Sequence, residues 1–401
     1  MSKEYSYTLT LTFIVLLLSP IAWPASFQVI HNFQGTAINP SSGLVFDSAG
    51  YAYGVTFGDG VNNAGTVYRI SPTKRFEILY AFSGLDGKGP SGNLVFDSFG
   101  NLYGSTVIGG QINSTCNAGC GTVFRLSPPM GTGQWTETTL YNFSGANDGL
   151  EPLGSLVFDS QGSLYGMAQG GEFECGVVFS LTPSQNDQWS QSILFSFIGD
   201  GCNPQGGLTF DSSGNLFGTA STNGVWNGGN VFELSPAEDG RWNFNPIYEF
   251  NPNMRDGIAP YAGVIFDSSG NLYGTTRAGG AFDLGTVFEL KPNAGTWKET
   301  IIHHFAGGSD GATPWAPVTL DSHGNLYGST ESGGGKFGHG TLFQLSPGQN
   351  GQWNEATASF SGNAHGQNPE TPLAFDSSGH IYGTTSNGGP TKYGVAFRIT
   401  P

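Results

Sequence analysis

The chain has 401 residues, 64 of them Gly and 22 Pro, with only 11% charged. That composition suits short strands and tight turns and excludes a helical fold or a disordered tail. Its 14 Lys and Arg against 30 Asp and Glu give a net charge of −16, which leaves no phosphate-neutralising charge for a nucleic-acid partner and disfavours an anionic membrane surface. Divalent cations and neutral polymers are the compatible partners.

Residues 1–25 read as a secretory signal peptide. Lys3 precedes the apolar run Phe13–Leu18, which is too short to span a bilayer, and small residues follow at Ala22 and Ala25. An uncleaved anchor is the alternative. The expected mature chain, 26–401, is a single domain, secreted to the extracellular space or periplasm and monomeric. Its four cysteines, Cys116, Cys120, Cys175 and Cys202, favour two disulfides in an exported chain. The expected pairs are Cys116–Cys120 and Cys175–Cys202. A metal site at Cys116-Asn-Ala-Gly-Cys120 would lack a second ligand pair at suitable spacing.

From Phe46 onward one eleven-residue phrase is written seven times, with FDSSGNLYGTT at Phe266–Thr276 as its fullest form. The other copies begin at Phe46, Phe96, Phe158, Phe210, Leu320 and Phe375. Around each lie four runs with β-branched or aromatic content, period-two alternation and Gly/Asn/Asp punctuation. In the second copy these are Asn93–Asp97, Leu102–Thr106, Thr122–Leu126 and Glu137–Phe143. Four short antiparallel strands per unit of about 50–60 residues predict a β-propeller blade. The chain opens with a lone outer-strand run, Ser26–Phe33, and ends at a third strand, Gly394–Thr400. Pairing these ends closes the ring and leaves no open edge between blades. The predicted fold is an all-β seven-bladed propeller whose N-terminal strand completes the last blade.

The run FDSxGNLYGTTxxGG followed by GTVFxLSP resembles the GloVer tandem repeats of bacterial choice-of-anchor exported proteins. The resemblance covers the mature chain and implies a secreted bacterial repeat protein; it brings no established activity and no catalytic residues. Members often carry a C-terminal sorting anchor, whereas this sequence stops at Pro401, just after the last strand. More loosely, the Asp-x-x-Gly-Asn-Leu-Tyr turn is similar to NHL-type propellers, which are mostly interaction modules.

Residues that recur in every blade read as scaffold. The strand-end aspartates, Asp47 to Asp376, precede Ser-x-Gly and suit a turn held by backbone N–H groups. His31 and His303 fall where other blades place Tyr80, Tyr141 and Tyr248, and read as aromatic substitutes. Trp135, Trp189, Trp242, Trp297 and Trp353 begin outer strands and read as packing. Eleven residues before the strand aspartates, Asp86, Asp148, Asp200, Asp256 and Asp310 stand in Asp-Gly-type loops. Five carboxylates round one rim are weak calcium candidates, against the alternative of five separately satisfied turns.

Candidate function lies where the repeats break their own rule. After the loop proline, successive blades present Ser41, Ser91, Leu153, Gln205, Tyr261, Trp315 and Glu370 at a slot expected to enter the central channel. At the slot after the Gly-Thr-Thr strand, the charged residues are Arg277 and Glu331. His339 and His365 belong to loops of blade 6 and its crossing into blade 7. These irregular residues converge on one sector, blades 5–7. Tyr261 and Trp315 offer flat faces for a sugar ring, and Arg277 offers a bidentate fork. Glu331 and Glu370, or His339 and His365, would be the acid and base if the protein were an enzyme.

The sequence lacks a zinc-protease helix, a P-loop, a dinucleotide fingerprint and a nucleophile elbow, and implies no cofactor beyond calcium. The reading is a secreted binding or scaffolding propeller for an extracellular polysaccharide or envelope component. The alternative is a polysaccharide lyase or glycoside hydrolase using the same rim. Fold cannot choose, since propellers host both.

Overall fold

The repeated phrase forms a hairpin because its aspartate closes the turn. Asp97 Oδ1 accepts the backbone N–H groups of Phe99 and Asn101, each at 2.9 Å, and Oδ2 accepts the Tyr103 hydroxyl at 3.1 Å. Asp47, Asp159, Asp267, Asp321 and Asp376 repeat the arrangement. In blade 4, where Phe217 replaces the tyrosine, Asp211 keeps only the Asn215 amide on Oδ2, a bond that Asp97, Asp267 and Asp321 also accept. At Asp267 burial opposes ionisation, but the bonds from Asn271, Ser269 and Tyr273 outweigh it and hold the carboxyl below its usual range.

The computed structural model describes residues 26–401 apart from 61 and 132; the expected signal segment at 1–25 lies outside the described residues. Seven antiparallel blades form a propeller. Blade 2 shows the plan: inner strand Lys88–Phe96, second strand Leu102–Ile108, third strand Thr122–Ser127 and outer strand Thr136–Asn142, each paired to the next. The N-terminal strand Ser26–Asn32 pairs with Val395–Thr400 and supplies the outer strand of blade 7, as the phase of the repeats predicts. Among the described residues no helix is long and apolar enough to cross a membrane.

The core is a ring of interfaces between blades. Each outer strand ends in a buried Phe that meets a third-strand aromatic of the next blade edge to face. Phe82 meets Phe124 at 5.0 Å, Phe250 meets Phe288 at 5.2 Å, and Phe305 meets Phe343 at 5.2 Å. The closure uses the same contact, Phe33 on Tyr68 at 5.1 Å. The glycine of Leu-Tyr-Gly-Ser/Thr exists for this ring: a Cβ on Gly104 would lie 2.7 Å from Phe124. On the channel side, second-strand hydroxyls reach the next blade's inner carbonyls, as in Thr275 to Ala316 O at 3.0 Å and Thr384 to Ser42 O at 2.9 Å. Phe33→Ala should therefore cost about 3–5 kcal/mol, read as an earlier urea midpoint; an unchanged midpoint would mean that the ring does not depend on its closure.

Both expected disulfides are present, Cys116–Cys120 within a loop of blade 2 and Cys175–Cys202 tying a blade 3 loop to the crossing into blade 4. They suit an oxidising compartment.

At the outer edge a second interblade contact varies in kind. Tyr248 of blade 4 donates to Asp256 at 2.8 Å and lies near Glu299 of blade 5. Burial, and then the Asp256 charge, push the Glu299 carboxyl up to about 8, and its Oε1 is buried without a hydrogen-bond partner. Blade 3 uses Gln191 at the equivalent position, where it accepts from Tyr141 at 3.0 Å. A carboxyl raised in the folded state binds its proton more tightly there, so its stabilisation is complete below the unfolded value of 4.5 and is lost as pH climbs to about 8. Glu299→Gln should raise the Tm by a few degrees at pH 9 and leave it nearly unchanged at pH 4. A larger gain at pH 4 than at pH 9 would contradict this account.

Candidate functional site

The seven slot residues do reach the central channel. Ser41, Ser91, Leu153, Gln205, Tyr261, Trp315 and Glu370 all line one cavity of about 370 Å³ at its mouth. The step after each loop proline turns the inner strand into the channel, and the next residue is small because neighbouring blades touch there. A Cβ on Gly92 would overlap the Gly154 carbonyl, and one on Gly154 the Gly206 carbonyl. The floor is polar: Asn93 accepts the Gly43 N–H at 2.8 Å and donates its own N–H to Ser155 Oγ at 3.0 Å.

The cavity is lopsided. Blades 1–4 contribute Ser, Ser, Leu and Gln, whereas blades 5–7 contribute an aromatic pair and an acid. Tyr261 and Trp315 stack on each other at 4.8 Å with 20° between planes. The Arg277 guanidinium lies 4.4 Å from the Trp315 ring centre and 5.6 Å from that of Tyr261, within cation–π range. Arg277 reaches Glu331 only at 3.9 Å, too long for a hydrogen bond, and its Nε is buried without a partner. The fork is thus held by ring faces and keeps donors free, with 38% of the side chain exposed.

Glu370 faces this group from blade 7. Burial first, and then the neighbouring Glu331 charge, push its carboxyl up to about 7, opposed by a hydrogen bond from Ser386 and by Arg277. Near neutral pH the sector therefore holds one carboxyl able to give a proton beside a carboxylate and a cation. That is an acid–base arrangement, and also a polar cradle for hydroxyls. Ser386 was missed by the sequence reading, which took only charged residues at the slot of Arg277 and Glu331; its place in that slot was the available signal.

The structure does not bring the two loop histidines into this sector. His339 stacks on Phe337 at 5.8 Å and packs against Gly362. His365 stands at the Asp86-equivalent position and lies 4.6 Å from the Phe27 ring on the outer strand. Neither lines the central cavity. Both follow loops that leave the channel mouth for the rim, which linear proximity to Glu331 and Glu370 could not reveal.

Nor do the five rim aspartates share a site. Asp86, Asp148 and Asp256 each accept a nearby backbone N–H, from Ser83 at 2.7 Å, Ser144 at 2.8 Å and Asn251 at 3.0 Å, together with a tyrosine hydroxyl. Asp200 accepts from Ile198 N–H at 3.3 Å, and Asp310 from Ala306 N–H at 2.6 Å. Each closes its own turn.

Fold and site together define a β-propeller built from tandem repeats. The chain belongs to the Gloeobacter/Verrucomicrobia repeat family, which matches residues 21–210, 113–251 and 211–401. No curated protein matches it in sequence. Among solved structures it is similar to an ancestral GH74 enzyme, with 11% identity and a TM-score of 0.57, over 91% of this chain and 48% of that one. The chain thus spans about half of that enzyme. A gluconolactonase from Xanthomonas campestris is similar at 12% identity and a TM-score of 0.44, over 93% of this chain and 89% of that one. A protein of unknown function from Dyadobacter fermentans is similar at 12% identity and a TM-score of 0.45, over 84% and 98%. At such identities the likeness is one of fold.

Substituting around Glu370 should move its titration in opposite directions. Glu331→Gln removes a repelling charge and shifts it to lower pH; Arg277→Gln removes an attracting one and shifts it upward. Side-chain carboxyl NMR titration reads both, and shifts in the same direction would show that these groups do not act on Glu370 directly.

Proposed function

We propose that this is an exported binding propeller that recognises an extracellular polysaccharide at the channel mouth of blades 5–7. The observation that carries the reading is the Tyr261–Trp315–Arg277 stack at the edge of a cavity of about 370 Å³, at the small end of ligand pockets. Aromatic rings with polar edges suit the apolar faces of pyranose rings, and the free guanidinium donors suit hydroxyl or lone carboxylate oxygens. A neutral or sparsely charged glycan is favoured, because a net charge of −16 would repel a polyanion before contact. The two disulfides support export.

A second reading has its own support in the raised Glu370 carboxyl beside Glu331: a glycoside hydrolase or lyase in which Glu370 gives the proton and Glu331 takes one. One experiment separates them. The purified protein is run through affinity gels holding neutral polysaccharides or polyuronates, with and without calcium, while new reducing ends and absorbance at 235 nm are followed. The binding reading expects retention on a neutral glycan, weakened at least about tenfold by Trp315→Ala, a loss of about 1.4 kcal/mol or more, and no product. Product that disappears in Glu370→Gln while retention persists would establish the enzyme. Neither retention nor product on any glycan would remove the carbohydrate reading.

A further inference from the structure

The outer rim holds a constellation unrelated to the channel, at the boundary of blades 5 and 6. At six of the blade boundaries one outer-strand residue faces one on the next blade's outer strand, and the pairs match in kind. Phe195 stacks on Phe244 at 4.3 Å, and His31 on Phe76 at 4.0 Å. Where the first partner is tyrosine, the second is Glu137, Gln191 or Glu299, and the crossing aspartate lies between them. At the boundary of blades 5 and 6 the tyrosine slot is His303, the aspartate is Asp310 and the acid is Glu355.

That replacement changes the chemistry. A tyrosine hydroxyl donates to the aspartate, and at Tyr141 it lies within reach of Gln191 as well, but it is a poor ligand for a cation beside an imidazole. His303 Nε2 instead stands 2.9 Å from Asp310 Oδ1 and 3.3 Å from Glu355 Oε1. One ring nitrogen carries at most one proton, and Asp310 and Glu355 also hydrogen-bond to each other, so the cluster is held together by protons whose place a cation would take. We propose that His303, Asp310 and Glu355 bind a divalent first-row transition cation, for which Zn²⁺ is the fitting probe.

Three observations support the assignment. The three ligand atoms all lie within 4.8 Å of one another, and among the described residues no other group of three His, Cys, Asp or Glu side chains does so. Bonds of about 2.0–2.2 Å to nitrogen and oxygen place tetrahedral ligands roughly 3.3 Å apart, close to the two separations seen. One imidazole and two carboxylates select zinc or its neighbours over calcium, which takes six to eight oxygens.

The site is also built and accessible. The register shift at Ile302, which five other outer strands share, puts His303 at the rim slot that Tyr80, Tyr141 and Tyr248 occupy elsewhere. Asp310 is fixed from the other side by the Ala306 N–H at 2.6 Å. The side chains keep 17%, 18% and 24% of their surface exposed, which leaves room for water to complete the shell. A cation here would staple two outer strands and the crossing 305–314, the segment that leads into Trp315.

The repeats provide their own controls. His303→Tyr rebuilds the arrangement that Tyr248, Asp256 and Glu299 already adopt, and Glu355→Gln places there the residue type that Gln191 supplies at the equivalent position, so both variants should fold. Calorimetric titration of the metal-stripped full chain with Zn²⁺ should show one saturable site. His303→Tyr should abolish it, and Glu355→Gln should weaken it at least tenfold. The Tm should rise with Zn²⁺ in the parent and not in His303→Tyr, and Ca²⁺ should not compete. Equal Zn²⁺ binding by the parent and His303→Tyr, or no saturable site below 100-fold excess of metal over protein, would overturn the assignment. Because no channel residue is touched, glycan retention reads separately.

Discussion

Everything in this structure depends on one contact made seven times: a fully buried Phe at the end of an outer strand, set edge to face against a third-strand aromatic of the next blade. A four-stranded sheet cannot bury both faces alone, so each blade needs a neighbour on either side. The aromatic pair sits among buried Leu and Val of both blades and adds about 0.5–1.5 kcal/mol per contact beyond area. It also dictates the glycine beneath each ring, since a Cβ at Gly104 or its equivalents would occupy the ring's place. The last of these contacts, Phe33 on Tyr68, seats blade 7 on blade 1, while the pairing of Ser26–Asn32 with Val395–Thr400 joins the two ends of the chain.

A ring held this way leaves two zones free to vary. At the centre, the slot after each loop proline faces the channel and takes little part in holding the blades, so blades 5–7 can carry Tyr261, Trp315 and Glu370 at positions where others carry Ser or Leu. At the rim, the facing outer-strand residues need only match each other. Phe with Phe, His with Phe and Tyr with Gln or Glu all succeed. The His303 pairing is the case in which a substitution tolerated by the scaffold also assembles ligand atoms. The two zones are linked at one place, where the crossing that holds Asp310 continues into Trp315.

The acidic groups illustrate why burial matters more than composition. Asp267, Asp321 and Asp376 are stabilised as anions by hydrogen bonds in their turns, four of them at Asp267. Glu299 and Glu370 bear the same kind of group, yet burial beside another carboxylate moves them the opposite way. The acids among the described residues therefore divide into turn-makers, solvated surface and a few carboxyls poised near neutrality. Only the last class offers proton chemistry at ordinary pH.

The period, the aspartate turns and the strand missing at one end and present at the other determined blade count and closure, because those follow from local turn chemistry and strand phase, whereas the disulfide pairing was one of three that the four cysteines allow. The channel slot was legible for the same reason: a residue at constant distance from a turn keeps a constant direction. Which irregular residues meet was decided by tertiary structure alone. His339 and His365 are near Glu331 and Glu370 in the chain but sit on loops that run outward, while His303, which looked like a mere aromatic substitute, meets Glu355 from 52 residues further on. Contact between blades depends on the rotation from one to the next and on a bulge in an outer strand, and neither is written in the spacing of a single repeat.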